Sequence, residues 1–181
     1  MKKTQSPGMR LWAARVADCF TRNGIEVVLT GGACVSIYTR NKYASFNLDF
    51  VNVGGAPARS IVEALGQAGF RKEGRVFTRA DCPYAVDILS PPLSIGAEPV
   101  RTTATLTVRG KKLKLLTPSD SIKDRLAAYF HWNDLQALEQ ALLICRSIEV
   151  DLAPVRRWAI AEGHLEKFKA FQRMPARRAK K

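Results

Sequence analysis

The sequence of 181 residues carries 29 Lys and Arg against 16 Asp and Glu, a formal net charge of +13 at pH 7. Hydrophobic residues make up 46% of the chain, which excludes a largely disordered protein and predicts one globular domain, alone or with a small appendage. No apolar run approaches the ~20 residues of a membrane span, and the N-terminus lacks the apolar stretch of a signal peptide. We therefore expect a cytoplasmic protein that does not bind membranes.

The first two thirds of the chain alternate between helical and strand patterns, which predicts an α/β core over residues 1–116 with four to six strands. The expected elements are a helix over 9–22, a strand over 25–30, a short helix over 33–39, a strand over 46–53, a helix from Pro57 to Gly69, strands over 75–78 and 84–89, and a hairpin of strands over 105–109 and 112–116. On the strand over 46–53, Phe46 is expected on the same face as Leu48 and Phe50.

The last third predicts a helical lobe over residues 117–172. Its first helix begins at a capping box, Thr117-Pro118-Ser119-Asp120, and Asn133 is expected to cap the second helix. Asp151 begins a third helix, and a fourth spans 164–172. Residues 173–181 form a basic tail that we expect to be flexible, and the expected large core side chains are Trp12, Phe20, Phe130 and Trp158, with His131-Trp132 also packed.

Four cysteines lie far apart in the sequence without a CxxC pair, and the chain has two histidines. This spacing fits neither a zinc site nor a disulfide framework. We expect reduced, mostly buried side chains at all four positions, Cys19, Cys34, Cys82 and Cys145.

One group of residues indicates a catalytic site. A buried strand runs into Gly31-Gly32, where a backbone without side chains can approach a phosphate closely. On the next strand Asn47 and Asp49 are two residues apart and point the same way. Asp87 interrupts a later apolar strand, and a buried carboxylate of this kind needs a partner such as a metal ion. These oxygen ligands predict magnesium-assisted phosphoryl or nucleotidyl transfer.

The run LTGGACVSIYTRNKYASFNLDFV, with Asp87 downstream, resembles the nucleotidyltransferase fold of DNA polymerase beta, the antibiotic nucleotidyltransferases and the minimal nucleotidyltransferases. Their signature is a glycine turn, two Asp separated by one residue, and a third Asp on a later strand. The segment SIKDRLAAYFHWNDLQALEQALL is similar to the abortive-infection toxin nucleotidyltransferases and related bacterial proteins. The resemblance covers residues 25–150 and implies an α/β (α+β) fold, a mixed sheet flanked by helices and followed by a helical lobe.

The resemblance also implies roles for individual residues. The metal ligands would be Asn47, Asp49 and Asp87, holding two magnesium ions or one, with Asp87 also orienting the attacking hydroxyl. A nucleoside triphosphate would lie against a second set of residues, Gly31, Gly32, Ser36, Lys123 and Asp134, and the catalytic residues would be Asp49, Asp87 and Lys123. The sequence departs from the family at Asn47, which replaces the first Asp of the pair, and at Ala137, which stands near the place of a second helical Asp.

Each of these residues also has a structural alternative. The glycines could make a tight turn, and Ser36 could cap the short helix. Asp49 could be a surface strand residue or cap a loop, and Asp87 could pair with a core arginine. Lys123 could be a solvated charge, and Asp134 could stabilise a helix N-terminus.

Two functions from different classes follow. The first is a magnesium-dependent enzyme that moves a nucleoside monophosphate from a nucleoside triphosphate to an acceptor, for which the basic charge favours RNA such as tRNA, as in a toxin or defence protein. The second is a nucleotide- or RNA-binding protein whose chemistry is impaired because Asn47 is neutral. A third, structural class, such as an antitoxin or an assembly subunit, would copurify with a protein partner, whereas a toxin-type enzyme would have an antitoxin as its partner.

Overall fold

The computed structural model describes residues 8–174, which form seven helices and nine strands. The helices are α1 (Met9–Arg22), α2 (Gly31–Tyr38), α3 (Ala58–Gln67), α4 (Pro118–Trp132), α5 (Leu135–Ser147), α6 (Ala153–Ala161) and α7 (Leu165–Arg173). The strands are β1 (Val27–Thr30), β2 (Asn47–Asn52), β3 (Arg71–Glu73), β4 (Val76–Arg79), β5 (Cys82–Leu89), β6 (Ser94–Ile95), β7 (Glu98–Pro99), β8 (Thr103–Val108) and β9 (Lys111–Leu116).

Seven of these strands form one mixed sheet in the order β3-β4-β5-β2-β1-β9-β8, and β6 and β7 form a separate hairpin. Strand β2 lies between an antiparallel neighbour, β1, and a parallel neighbour, β5. Strand β1 is also parallel to β9. The centre of the sheet therefore brings together three segments that are distant in the sequence.

The apolar face of this sheet is covered by α1 and α3. Leu48 and Phe50 of β2 are fully buried there, and the ring of Phe20 packs edge-on against Phe50 with centroids 6.2 Å apart. Trp12 and Leu65 belong to the same buried cluster. Because side chains alternate along a strand, this packing directs Asn47 and Asp49 to the opposite face.

The helical lobe has its own core. Trp158 of α6 stacks on Phe130 of α4 with ring centroids 5.4 Å apart, and its indole Nε1 donates a hydrogen bond of 3.0 Å to the carbonyl of Ile95 in β6. Phe168 of α7 is also fully buried in this cluster. The small β6–β7 hairpin is thus attached to the lobe through an indole.

The structure confirms an α/β fold with a mixed sheet and a C-terminal helical region. The cap at Thr117 is present, with its hydroxyl oxygen accepting a hydrogen bond of 3.1 Å from the Asp120 amide. The prediction of four to six strands was too low, because it missed three short strands with too few residues to show alternation, β3, β6 and β7.

Two local predictions were wrong. Asn133 ends α4 in a left-handed conformation, and Asp134 caps α5 instead. Trp132 is 78% exposed at the end of α4 and is not packed. Phe46, which precedes the first residue of β2, is 75% exposed.

The remaining predictions concern single residues and the chain ends. All four cysteines are free thiols, with Cys19 and Cys34 buried and the other two partly buried. Among residues 8–174, no helix combines the length and the apolar character that a membrane crossing requires. Arg173 is the last residue of α7, and the rest of the predicted basic tail, 175–181, lies outside the described residues.

We expect Trp158→Phe to lower the free energy of unfolding by about 1–3 kcal/mol, because it removes a buried hydrogen bond and leaves unfilled volume beside Phe130. The matched control is Trp132→Phe, which changes an exposed indole and should shift stability by less than about 0.5 kcal/mol. Urea unfolding followed by circular dichroism measures both. Equal effects of the two substitutions would contradict the packing described for the lobe.

Candidate functional site

Two acidic side chains lie next to each other on the open face of the central sheet. Strands β2 and β5 are parallel, and their register sets Asp49 directly opposite Asp87. Registered residues of adjacent strands point to the same face, so the two carboxylates are neighbours. Their interaction is visible in the pKa of Asp49, which burial raises first and the charge of Asp87 raises further.

The turn from β1 into α2 closes over this pair. Gly31 has φ of +67°, a conformation that favours glycine, and a Cβ atom built on it would lie 2.7 Å from Oδ2 of Asp49. Any larger residue would collide with the carboxylate. Gly32 has a Cβ position 3.3 Å from the side chains of Tyr43 and Ser45. The two glycines therefore allow the N-terminus of α2 to approach Asp49.

Helix α2 begins at Gly31, and Thr30 precedes it without a side-chain hydrogen bond to the first turn. The first amides of a helix lack partners within the helix and carry a partial positive charge. These amides and the Asp49 carboxylate therefore meet at one point, where an anion and a cation can be held side by side.

Asp87 is held by an arginine that the sequence did not single out. Nε and Nη2 of Arg75 donate hydrogen bonds of 3.0 and 2.6 Å to Oδ2 of Asp87. The other oxygen, Oδ1, is buried and accepts no hydrogen bond from residues 8–174. The sequence offered the general possibility of an arginine pairing with Asp87, but the β3–β4 turn that carries Arg75 was not predicted.

A second arginine approaches from the helical lobe. Arg125 of α4 bonds to Oδ2 of Asp124 at 2.6 and 3.1 Å, and its third contact is the amide oxygen of Gln140 at 3.3 Å. Its charge lowers the pKa of Asp49, opposing the effects of burial and Asp87. Arg125 therefore lies close enough to Asp49 to act on it. In the sequence it stands two residues after Lys123, so the segment was recognised but Arg125 itself was not singled out.

The Lys123 ammonium does not bond to the acidic pair. Only 6% of its side chain is exposed, and its ammonium bonds to Glu98 of β7 at 2.7 Å and to Asp120 of α4 at 3.0 Å. The described hydrogen bonds of Lys123 include none to Asp49 or Asp87. The structure therefore places the Lys123 ammonium against the β6–β7 hairpin and does not bring it into the acidic pair.

Ser36 and Asp134 both have structural contacts. The buried hydroxyl of Ser36 donates 2.8 Å to the carbonyl of Tyr43 and accepts 3.0 Å from the amide of Ser45, which holds the loop between α2 and β2. Asp134 accepts bonds of 2.9 and 3.0 Å from the amides of Gln136 and Ala137. The contacts of Ser36 therefore close a loop, and the contacts of Asp134 cap α5.

Asn47 lies at the exposed start of β2, two residues before Asp49 and on the same side of the strand. Its backbone amide and carbonyl both bond to the hydroxyl of Ser45, at 3.3 and 3.0 Å. The side-chain amide has no hydrogen bond to another described residue. It is therefore available as a neutral oxygen ligand beside the two carboxylates.

The side-chain oxygens of this site can hold one divalent cation, but they do not surround it on all sides. Among residues 8–174, no group of three or more His, Cys, Asp and Glu side chains is arranged to hold a metal ion. Magnesium, however, is commonly held by one or two carboxylates together with substrate phosphates and water. Oδ1 of Asp87 is a buried anionic oxygen without a partner among the described residues, and Asp49 lies beside it, so the residues present suit such a partly built site.

A cavity of about 330 Å³ adjoins Arg75 between α3 and the end of β5. Its walls are apolar at Ile61, Phe77 and Ile88, and it has two cationic side chains, Lys72 and Arg75. None of the described lining residues is acidic. This space therefore favours an apolar or anionic group over a cationic one.

The sequence matches no family model and no curated protein. Its structure resembles an antigenic nucleotidyltransferase-like protein from Paracoccidioides brasiliensis, with a TM-score of 0.60 and 11% identity over 91% of this chain and 92% of that chain. It also resembles the antibiotic-resistance factor ANT(2'')-Ia in solution, with a TM-score of 0.54 and 12% identity over 95% and 99% of the chains.

The crystal structure of ANT(2'')-Ia in complex with adenylyl-2''-tobramycin matches with a TM-score of 0.51 and 12% identity over 88% and 98% of the chains. Identities this low establish the fold alone, and they give no specific link to the abortive-infection toxins. The expectation from the sequence is confirmed at that level. The chain has a nucleotidyltransferase-like fold, with a mixed seven-stranded sheet and a C-terminal helical region.

Proposed function

We propose that the protein is a magnesium-dependent nucleotidyltransferase, which transfers a nucleoside monophosphate from a nucleoside triphosphate to an acceptor. The observation that carries this proposal is the register of β2 and β5, which sets Asp49 beside Asp87 under the glycine turn that begins α2. Two desolvated carboxylates repel each other, and a fold retains such a pair at a cost to its stability. Binding a cation next to a phosphate is a function that requires this arrangement.

In this proposal Asp49 and Asp87 hold the magnesium ion, and Asn47 is a weaker ligand. The bound ion would supply charge neutralisation at the phosphate oxygens. Asp87 orients the acceptor hydroxyl, which loses its proton to solvent as the acceptor oxygen bonds to the α-phosphorus. The bond from that phosphorus to the bridging oxygen breaks at the same centre, and pyrophosphate leaves. Positioning and electrostatics supply most of the rate in reactions of this type.

The triphosphate would lie against the first amides of α2, which Gly31 and Gly32 allow to come close to Asp49. We assign the neutralising cation of the helical lobe to Arg125, because its charge lowers the pKa of Asp49. Like Lys123, which is engaged by Glu98 and Asp120, Arg125 would have to exchange an ion pair, in its case with Asp124. A role for Lys123 or Asp134 in nucleotide binding would require each to exchange its present contacts. Ser36 would likewise contribute indirectly, by holding the loop between α2 and β2.

For the acceptor we propose RNA, such as a tRNA end. The formal net charge is +13, and the cavity beside Arg75 carries Lys72 as a second cation and no described acid. Aminoglycosides are polycations, so a net charge of +13 opposes an acceptor of the kind present in the ANT(2'')-Ia complex with adenylyl-2''-tobramycin. A transferase of this kind acting on RNA would suit a toxin or defence protein, with an antitoxin as its protein partner.

A second candidate function is binding of nucleotide or RNA without catalysis. The neutral side chain of Asn47 favours it, since an amide holds magnesium less strongly than a carboxylate. The direct test is incorporation of labelled nucleotide into bulk tRNA, with each of the four nucleoside triphosphates in turn. Incorporation that requires magnesium supports the enzyme, and RNA binding without incorporation supports the second function.

We expect Asp49→Asn and Asp87→Asn each to lower magnesium-dependent incorporation by about 100-fold or more, because each removes a charged ligand at the reacting phosphate. The matched control is Asp81→Asn, which removes an exposed acid of the same sheet region that pairs with Arg79. It should leave incorporation within about twofold, as expected for a surface pair. If all three variants kept full activity, the carboxylate pair would not be the catalytic site.

The raised pKa of Asp49 predicts that Asp49→Asn stabilises the fold although it lowers activity. A carboxyl whose pKa is higher in the folded protein than in the unfolded chain loses stability as pH rises through that interval. Asp49→Asn should therefore raise the melting temperature at pH 7, by about 2–4 °C for each kcal/mol gained, and the gain should vanish in acid. Calorimetry at pH 7 and below pH 4 measures this, and a lower melting temperature at pH 7 would contradict the described repulsion.

We expect RNA affinity to be mainly electrostatic. If about six phosphates are neutralised, a fourfold rise in salt should weaken binding by about three orders of magnitude. Lys72→Gln should reduce the slope of log affinity against log salt by about 1, because Lys72 lines the cavity without a described ion pair. The control is Lys169→Gln on α7, where the ammonium pairs with Glu166. Equal slopes for Lys72→Gln and the wild type would exclude the cavity from the RNA surface.

A further inference from the structure

The two oxygen atoms of the Asp87 carboxylate have different surroundings. Oδ2 accepts both hydrogen bonds from Arg75, at 3.0 and 2.6 Å. Oδ1 is buried and accepts none from residues 8–174. A buried anionic oxygen that lacks a partner has lost its hydration without compensation. Asp87 thus has one oxygen neutralised by the protein and one that still needs a positively charged partner.

Arg75 is suited to a permanent place at this site. It extends from the turn between β3 and β4, and 79% of its side chain is exposed, so its guanidinium keeps much of its hydration while it bonds to a buried acid. A guanidinium remains protonated at every relevant pH and bonds to carboxylates in a fixed planar geometry. Arg75 therefore places a constant unit charge against Asp87.

Asn47 changes the charge of the site in the same direction as Arg75. The signature with two Asp on one strand and one on a later strand supplies three carboxylates, which reduce the repulsion between two divalent cations. In this chain Asp49 and Asp87 are the two acids, and Arg75 offsets one of them, so these groups sum to a formal charge of −1.

Addition of one divalent cation brings that sum to +1. Three carboxylates with two divalent cations have the same formal charge of +1. The loss of the first acid at Asn47 and the arginine on Asp87 together add two units of positive charge, which equals the charge of the second ion that the site would lack if it held a single ion.

We propose that Arg75 takes the place of a second divalent cation at Asp87. The site then binds one divalent cation, through Asp49 and Oδ1 of Asp87, while Arg75 stays on Oδ2. This inference rests on the proposed function, because it concerns the metal site of that transferase. It makes Arg75 a positioning residue, which sets the charge and the number of ions without itself holding the metal.

The test counts Mn²⁺ ions bound per chain, from the loss of the free Mn²⁺ signal in electron paramagnetic resonance, for three forms of the full-length protein. The wild type and Asn47→Asp should each saturate at about one ion, because Arg75 occupies Oδ2 in both. The double variant Asn47→Asp with Arg75→Ala has three carboxylates and no arginine. It should saturate at about two ions.

A matched control is Asn47→Asp with Arg71→Ala, which removes the same charge from the same hairpin at an exposed position of β3. It should stay at about one ion per chain. Circular dichroism confirms that each variant is folded, and Arg75→Gln replaces Arg75→Ala in the same series if the alanine form is not folded.

Three outcomes would overturn the inference. Two ions in the wild type, or two in Asn47→Asp alone, would mean that Arg75 leaves Asp87 when metal binds. One ion in the double variant would mean that Arg75 does not occupy a second ion's place. No ion in the wild type would instead contradict the metal site itself, and the proposed function with it, so the two failures are distinguishable.

Discussion

The parallel pairing of β2 with β5 is the constraint on which the site depends. Its register alone brings Asp49 against Asp87, and burial combined with their mutual repulsion raises the pKa of Asp49. A sheet would gain stability from an apolar pair at these positions. The surrounding elements reduce the repulsion, since Arg75 bonds to one acid and Arg125 lowers the pKa of the other. Neither arginine removes it, because Oδ1 of Asp87 remains buried without a described partner.

The fold could be predicted in large part because its main elements carry strong local signals. The alternation of Leu48 and Phe50 with polar neighbours located β2, and the Thr117 cap located the start of α4. Strand β3 has three exposed residues and no apolar pattern, so no local rule could identify it. Because β3 was missed, the contact of Arg75 with Asp87 was missed as well. Arg75 reaches Asp87 because it lies in the turn between β3 and β4, and β4 pairs with β5.

Part of the candidate site was also predictable. Asp87 was singled out because an acid in an apolar strand needs a reason to be there, and Asp49 because it shares a strand face with Asn47 after the glycine turn. The structure sets the two acids side by side. The helical contribution was harder to predict, because Lys123 and Arg125 are both cations near the start of one helix. Which of them faces the sheet depends on the rotation of α4. That rotation is fixed by buried residues of the lobe, Ile122, Leu126 and Phe130, and by the β6–β7 hairpin that pairs with Lys123.

Helix α2 belongs to both cores, and this has a mechanical consequence. Ala33, Cys34 and Ile37 pack into the cluster under the sheet, whereas Val35 packs into the cluster of the helical lobe. Helix α2, which begins at the glycine turn, is therefore packed against both cores. A hinge between sheet and lobe would have to pull Val35 out of its fully buried position. Sheet, turn and lobe should consequently melt as one cooperative unit, and any ligand of the acidic pair would enter by local movements of exposed side chains and loops rather than by opening of the lobe.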